Sequence, residues 1–215
     1  MEILIANKSH VRHAETVCSL MYDSALKRGT GIAKRSSEYI AKKMEEGKAI
    51  VVIDSDRLIG FSYIESWQHK RFVANSGLIV DPEYRNTGLA RKIKRAIFDL
   101  SRKLYPDAKI FSITTGLAVM KLNSELGYVP VTFSELTDDD EFWKGCEGCR
   151  NYSILQENNR RMCLCTGMLY DPEKHKDVKE KSDVDSAVRD MIPDKVLSPK
   201  RIARLKKDLR KIHLI

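Results

Sequence analysis

Cysteine is scarce, with five residues in 215, and that scarcity excludes the disulfide-stapled scaffolds of small secreted domains. Long apolar runs are missing: none approaches the roughly 18 to 20 consecutive apolar residues of a membrane-spanning helix. The opening MEILIANKSH also lacks the basic stretch and long apolar core of an export signal. A cytoplasmic protein with reduced thiols and no membrane partner is expected. Aromatic residues are few, at 7%, and none is interleaved with the positive charge between Lys195 and Ile215, which argues against a nucleic-acid partner. The net charge of +8 is unevenly spread, because this last stretch holds eight Lys/Arg against the single acid Asp208. The body before it is nearly neutral.

What is present is enough apolar sequence, 42%, for one sizeable core or a core with a small appendage. EILIAN reads as a strand, and Val11, Ala14, Val17, Cys18, Met21 and Ala25 recur at helical spacing up to RGTG. SSEYIAKKMEEG predicts a second helix with a serine cap and Gly47 at its end. AIVVID and RLIGFSYIESW form a hairpin across Ser55 and Asp56, FVANSGLIV is a further strand, and LARKIKRAIFDLSRKL is a helix with Ile93, Ala96, Ile97, Leu100 and Leu104 in one stripe. KIFSITT, LAVMKLNSEL, GYVPVTF and RRMCLCTGMLY complete the order as strand, helix, strand, strand. This predicts a mixed α/β (α+β) domain with one dominant sheet over residues 1–170. Residues 171–197 read as a polar linker, and 198–215 as a basic amphipathic helix capped by Ser198. Such a helix docks on its own domain or on a second copy in a homodimer.

The segment DPEYRNTGLARK joins a strand to a basic helix and contains Arg85, Gly88 and Ala90 at the spacing Arg-x-x-Gly-x-Ala. Small residues at 88 and 90 let a phosphate approach the backbone, and the amides of Asn86, Thr87, Gly88, Leu89 and Ala90 can donate to a pyrophosphate. The same spacing also suits a plain turn beside a solvated helix.

The order of elements from GLIVDPEYRNTGLARK through ITTGLAVMKLNSELGYVPV resembles the GNAT superfamily of acyl-CoA-dependent N-acyltransferases. Two motifs carry the resemblance: the pyrophosphate loop, matched by Arg85, Gly88 and Ala90, and a late helix closing in Leu126, Gly127 and Tyr128. It implies a mostly antiparallel central sheet flanked by helices, binding of acetyl-CoA or another short acyl-CoA, and transfer of the acyl group to the amine of a small molecule. It further implies that main-chain groups near Leu78 and Val80 bond the pantetheine arm, and that an N–H near Leu78 serves the oxyanion. The chain departs from the pattern at two places. The glutamate of many relatives falls near Ala74, and their acid tyrosine falls at Asn123. Glu65 is then the nearest candidate base, with His69 second; Tyr128, Tyr63 and solvent are candidates for the acid. A non-catalytic module that binds CoA or a partner is the alternative.

Residues 27–39 join the first two helices, and in this fold that loop borders the acceptor. Arg28, Lys34 and Arg35 suit an acceptor carboxylate. The loop and the late cysteines also resemble GNAT-like proteins associated with bacterial arginine biosynthesis, which implies glutamate or ornithine as acceptor and a place in amino-acid metabolism. Finally, Cys146, Cys149, Cys163 and Cys165 lie in an insertion at about 142–165. They can be read as a structural zinc site or as buried reduced thiols, with the second pair expected on one face of a strand.

Overall fold

The computed structural model describes residues 1–29 and 35–175. The predicted tail helix, most of the linker and Lys34 therefore lie outside the described residues. The first compact unit comprises Met1–Pro172, and all that follows concerns it.

Seven strands form one sheet in the order β1-β2-β3-β4-β5-β7-β6: β1 (Glu2–Ile5), β2 (Ala49–Asp54), β3 (Arg57–Trp67), β4 (Phe72–Val80), β5 (Lys109–Thr114), β6 (Val129–Val131) and β7 (Thr166–Tyr170). The pairings are antiparallel except β4 with β5. The β2–β3 hairpin turns on Ser55 and Asp56, both at positive φ (47° and 69°), the conformation whose twist matches the flanking strands. Helices α1 (Ala14–Arg28) and α2 (Ser37–Glu45) pack on one face, and α3 (Leu89–Leu104) with α4 (Leu117–Glu125) on the other.

The alternation of a two-faced sheet is visible in β2, where Ile50 and Val52 join Ile93 and Ile97 of α3 while Val51 joins Val17, Ile40 and Met44 of α1 and α2. Each fully buried aliphatic of this kind contributes about 1.5 to 3 kcal/mol. A third cluster, Ala74, Phe111, Phe133, Trp143, Leu155 and Leu169, seats the insertion, which contains the short helices α5 (Asp140–Lys144) and α6 (Tyr152–Glu157). The last strand starts at Thr166 rather than at the cysteines, so Cys163 and Cys165 precede it in irregular chain. The expectation that they share a strand face is corrected.

Two features shape the site. β4 and β5 pair only over Phe72↔Lys109, Val73↔Ile110 and Ala74↔Phe111, although β4 runs on to Val80 and β5 to Thr114. Beyond Ala74 the sheet is therefore forked, and main-chain groups on the inner edges of the fork are released from that ladder. On its other edge β4 carries a bulge: the register with β3 steps from Tyr63↔Ser76 to Phe61↔Ile79, with Gly77 at φ 65°. Bulges bend a strand and re-aim its groups.

Candidate active site

At the top of β4 the chain turns into the predicted loop. Asp81 is buried, accepts from the Glu83 amide at 3.0 Å and pairs with Arg57 at 2.7 Å, which anchors the turn. Arg85 Nε donates to the Val80 carbonyl at 3.2 Å, so its side chain is tethered to the strand end. Asn86 and Gly88 both adopt positive φ (64° and 80°), and Gly88 is the N-cap of α3 with no side-chain cap and no acidic residue in the first helical turn. A Cβ on Gly88 would meet nothing within 4 Å. The helix start is open, positive and uncapped, as anion binding requires. Residues 85–88 are exposed, while Leu89 is buried and Ala90 half-buried, fixing the loop to the core. Leu78 is half-buried and Val80 buried along the fork below it.

On the face of α1 and α2, Glu65 stands directly across from Ala74 in the β3–β4 register, beside the last paired rung of the fork. It is buried to 7% exposure and collects a polar cluster. The Tyr39 hydroxyl donates to Glu65 Oε1, Lys43 Nζ lies 3.8 Å from the same oxygen and Arg35 Nη2 lies 4.0 Å from Oε2. Arg35 Nε also donates to the Tyr63 hydroxyl at 3.0 Å, and both cations lie near the Tyr39 ring, at 5.3 and 4.9 Å from its centroid. Burial pushes the Glu65 carboxyl up from the ordinary range, against the pull of Arg35, and burial pulls the Lys43 ammonium down. A carboxylate raised in this way is a better proton acceptor near neutrality.

Of the predicted acceptor residues, Arg35 enters this cluster, Arg28 closes α1 and Lys34 lies outside the described residues. His69 is an exposed turn residue at φ 53° and does not join it. Tyr39 and Lys43 were missed; their i, i+4 spacing on a helix that starts beside the basic loop was the available signal.

Tyr128 lies on the opposite face. It is buried among Phe98, Tyr170 and Met168, and its hydroxyl donates to Asn75 Oδ1 at 2.9 Å. Burial holds its proton well above the usual phenol range. These contacts make it a packing residue with an engaged hydroxyl.

The cysteines are all free. Cys146, Cys163 and Cys165 pack partly buried against the aromatic cluster of the insertion, and burial, with mutual repulsion among the thiolates, pushes Cys146 up to about 11 and Cys165 up to about 12. Among the described residues no group of three or more His, Cys, Asp or Glu is arranged to hold a metal ion. The zinc expectation thus finds no support among the described residues. The insertion also reaches the acceptor side: a Cβ on Gly145 would lie 3.3 Å from Arg35 Nη2, and Arg150 Nη1 donates to the Gly29 carbonyl at 2.7 Å. No helix among the described residues is long and apolar enough to cross a membrane.

Residues 18–122 match the model of the Acetyltransferase (GNAT) family. No curated protein matches the sequence at a significant level. Among solved structures, N-acetylglutamate synthase from Neisseria gonorrhoeae, complexed with coenzyme A and N-acetyl-glutamate, is similar at TM-score 0.56 and 15% identity, over 79% of this chain and 34% of that one. This chain thus spans about a third of the synthase. The Rv2747 protein of Mycobacterium tuberculosis, in complex with CoA, aligns at TM-score 0.56 and 13% identity over 80% of this chain and 99% of that one. The yncA protein of Salmonella typhimurium, with its cofactor acetyl-CoA, aligns at 0.54 and 15% over 80% and 94%. The family match over residues 18–122, the forked sheet and the open loop at the start of α3 agree, and over that stretch the chain matches the Acetyltransferase (GNAT) family, whose fold the solved structures share.

Proposed function

We propose that this enzyme moves an acetyl or other short acyl group from CoA to the amine of a small amino acid, with glutamate or ornithine as the acceptors to try first. The observation that carries the reading is the cluster around Glu65. A buried carboxylate of raised pKa stands at the base of the fork, where an arm entering between β4 and β5 would end, and two cations flank it.

In this reading the backbone of residues 85–90 holds the pyrophosphate, and the edge of β4 near Leu78 and Val80 bonds the pantetheine amides. Glu65, directly or through a water, takes the proton as the acceptor amine attacks the thioester. A main-chain N–H near Leu78, re-aimed by the bulge at Gly77, stabilises the oxyanion. Arg35 and Lys43, with Arg28 at the end of α1 and Lys34 after it, receive the acceptor's carboxylate. The likeness to a synthase complexed with N-acetyl-glutamate agrees with an amino-acid acceptor.

Calorimetric titration with acetyl-CoA and succinyl-CoA, paired with a thiol-release assay over amino acids and simple amines, tests the proposal. Turnover of amino acids supports it. Cofactor binding with no turnover of any amine would favour a CoA-binding module, and no binding at all would sink both.

A further inference from the structure

The first part of α3, LARKIKRAIF, holds four cations and no acid. A solvated helix face commonly balances such charge with acids three or four residues away. Here Arg91, Lys92, Lys94 and Arg95 instead line one side of a cavity of about 270 Å³ between α3 and α4. From the other side come Leu122 and Glu125 of α4 and, just past its end, Leu126. The cavity adjoins the loop at the start of α3. The Arg91 and Lys92 amides both donate to the Gly88 carbonyl, at 3.1 and 3.3 Å, so these residues form the turn directly below the proposed pyrophosphate cradle. Arg95 lies one turn further along.

The positive charge around this cavity is not cancelled. Glu125 is the one acid in its lining, and Arg91 occupies both carboxylate oxygens, at 2.8 Å each. Among the described residues Lys92 meets no carboxylate. Arg95 has Asp99 at 4.0 Å, a loose pair of two exposed side chains that contributes little. Lys94, 2% exposed, lies against the Tyr128 ring, 5.0 Å from its centroid. Three cations thus remain beside the apolar Leu122 and Leu126. Sites that enclose a whole small molecule span roughly 300 to 1,000 Å³. This smaller space suits one end of a longer ligand, an apolar ring with an anionic group beside it.

We propose that this cavity takes the nucleotide end of the acyl donor, with the adenine beside Leu122 and Leu126 and the ribose 3′-phosphate on Lys92 and Arg95, so that the enzyme selects CoA over donors lacking that phosphate. This rests on the acyltransferase reading above. In CoA the 3′-phosphate stands one sugar beyond the pyrophosphate, which matches a cavity that opens one turn below the loop. An ammonium and a guanidinium both hold a phosphate by charge-assisted hydrogen bonds. The Arg91–Glu125 pair joins α3 to α4 at the cavity and sets its width. Its charges offset each other, which leaves recognition to Lys92 and Arg95.

The test is calorimetry on the full chain with CoA and with 3′-dephospho-CoA, which keeps the pantetheine arm and the pyrophosphate. Wild type should bind CoA about tenfold or more tightly, the usual scale of a charge-assisted contact, and the gap should narrow as salt rises. The double variant Lys92→Ala, Arg95→Ala should bring CoA to the level of dephospho-CoA while leaving dephospho-CoA nearly where it was. A diffuse loss of positive charge would weaken both compounds, since both carry the pyrophosphate. Lys103→Ala, farther along the same helix, is the control and should leave the preference intact. All three positions are exposed, so the variants should fold. Equal affinity of wild type for the two compounds, or an undiminished preference in the double variant, overturns the assignment. A wild-type chain that binds neither compound overturns the acyltransferase reading with it.

Discussion

Glu65 of β3 and Ala74 of β4 are register partners at the last rung before the sheet forks. A carboxylate borne on β3 at this rung can serve the same space as one borne on β4, because directly paired residues project to the same face about 5 Å apart. With alanine at position 74, the proposed base stands one strand over, on β3. If Glu65 is the base, Glu65→Gln should lower kcat by about 10² to 10⁴-fold with little change in cofactor affinity. The pH dependence separates this from a structural role. The folded carboxyl is raised by burial, so wild-type activity should rise with pH through a value above the ordinary carboxylate range, and that limb should vanish in the variant. Stability carries the opposite sign. A raised carboxyl contributes fully below its unfolded value and loses that contribution as pH rises through the folded one. Glu65→Gln, which keeps an acceptor for the Tyr39 hydroxyl, should remove that decline and melt no lower than wild type at neutral pH.

The loop at the start of α3 makes a separate prediction. Arg85 is tethered to Val80 and Gly88 holds φ 80° at an uncapped helix start. Arg85→Glu places a carboxylate where the pyrophosphate would lie and should weaken CoA binding by more than about tenfold, while leaving the melting temperature nearly unchanged because residue 85 is exposed. Gly88→Val should cost about 1 to 3 kcal/mol of stability through backbone strain, measured by urea denaturation.

Much of this was legible in the sequence, for identifiable reasons. Alternation in AIVVID and the stripe through Ile93, Ile97 and Leu100 fixed the sheet and its helix, since both periods reflect faces that are in fact buried. Arg85, Gly88 and Ala90 were legible because a left-handed turn into an uncapped helix start favours small residues at fixed offsets. The Glu65 cluster was half legible: an acid on a strand is visible, but its partners Tyr39 and Lys43 depend on how α2 lies across the sheet, which no local period encodes. Lys94 was illegible. A lysine among lysines on a basic helix reads as solvated, yet Lys94 is buried beside the Tyr128 ring. The late strand was read too long because RRMCLC has strand-like residues, whereas the insertion's aromatic cluster holds that stretch off the sheet.

Gly77 tests the bulge. Its φ is 65°, and a Cβ there would lie 2.5 Å from Tyr63 Cε1 and 2.7 Å from Cδ1. Gly77→Ala should cost about 1 to 3 kcal/mol from strain and overpacking. It should also lower kcat more than it raises the KM for acetyl-CoA, because displacing Tyr63 disturbs Arg35 and straightening the bulge re-aims the N–H groups near Leu78. Urea unfolding and steady-state kinetics on the same preparation read both effects. A loss of stability with unchanged kcat would confine the bulge to a structural role.

The insertion's thiols supply the last prediction. Thiolate, not thiol, is the form that binds zinc and reacts with disulfide reagents. Cys146 and Cys165, pushed up to about 11 and about 12, are almost wholly protonated at pH 7.5 as folded. These two cysteines should therefore be labelled slowly by an aromatic disulfide in native buffer and rapidly in urea. Cys146→Ser should cost stability, since a hydroxyl is poorly matched to the apolar contacts of that cluster. It should also raise the KM of the acceptor, because Cys146 follows Gly145, against which the Arg35 guanidinium rests. One tightly bound zinc per chain, lost only on denaturation, would show instead that the four cysteines close around an ion when it is supplied, and would make the insertion a metal-clamped wall of the acceptor site.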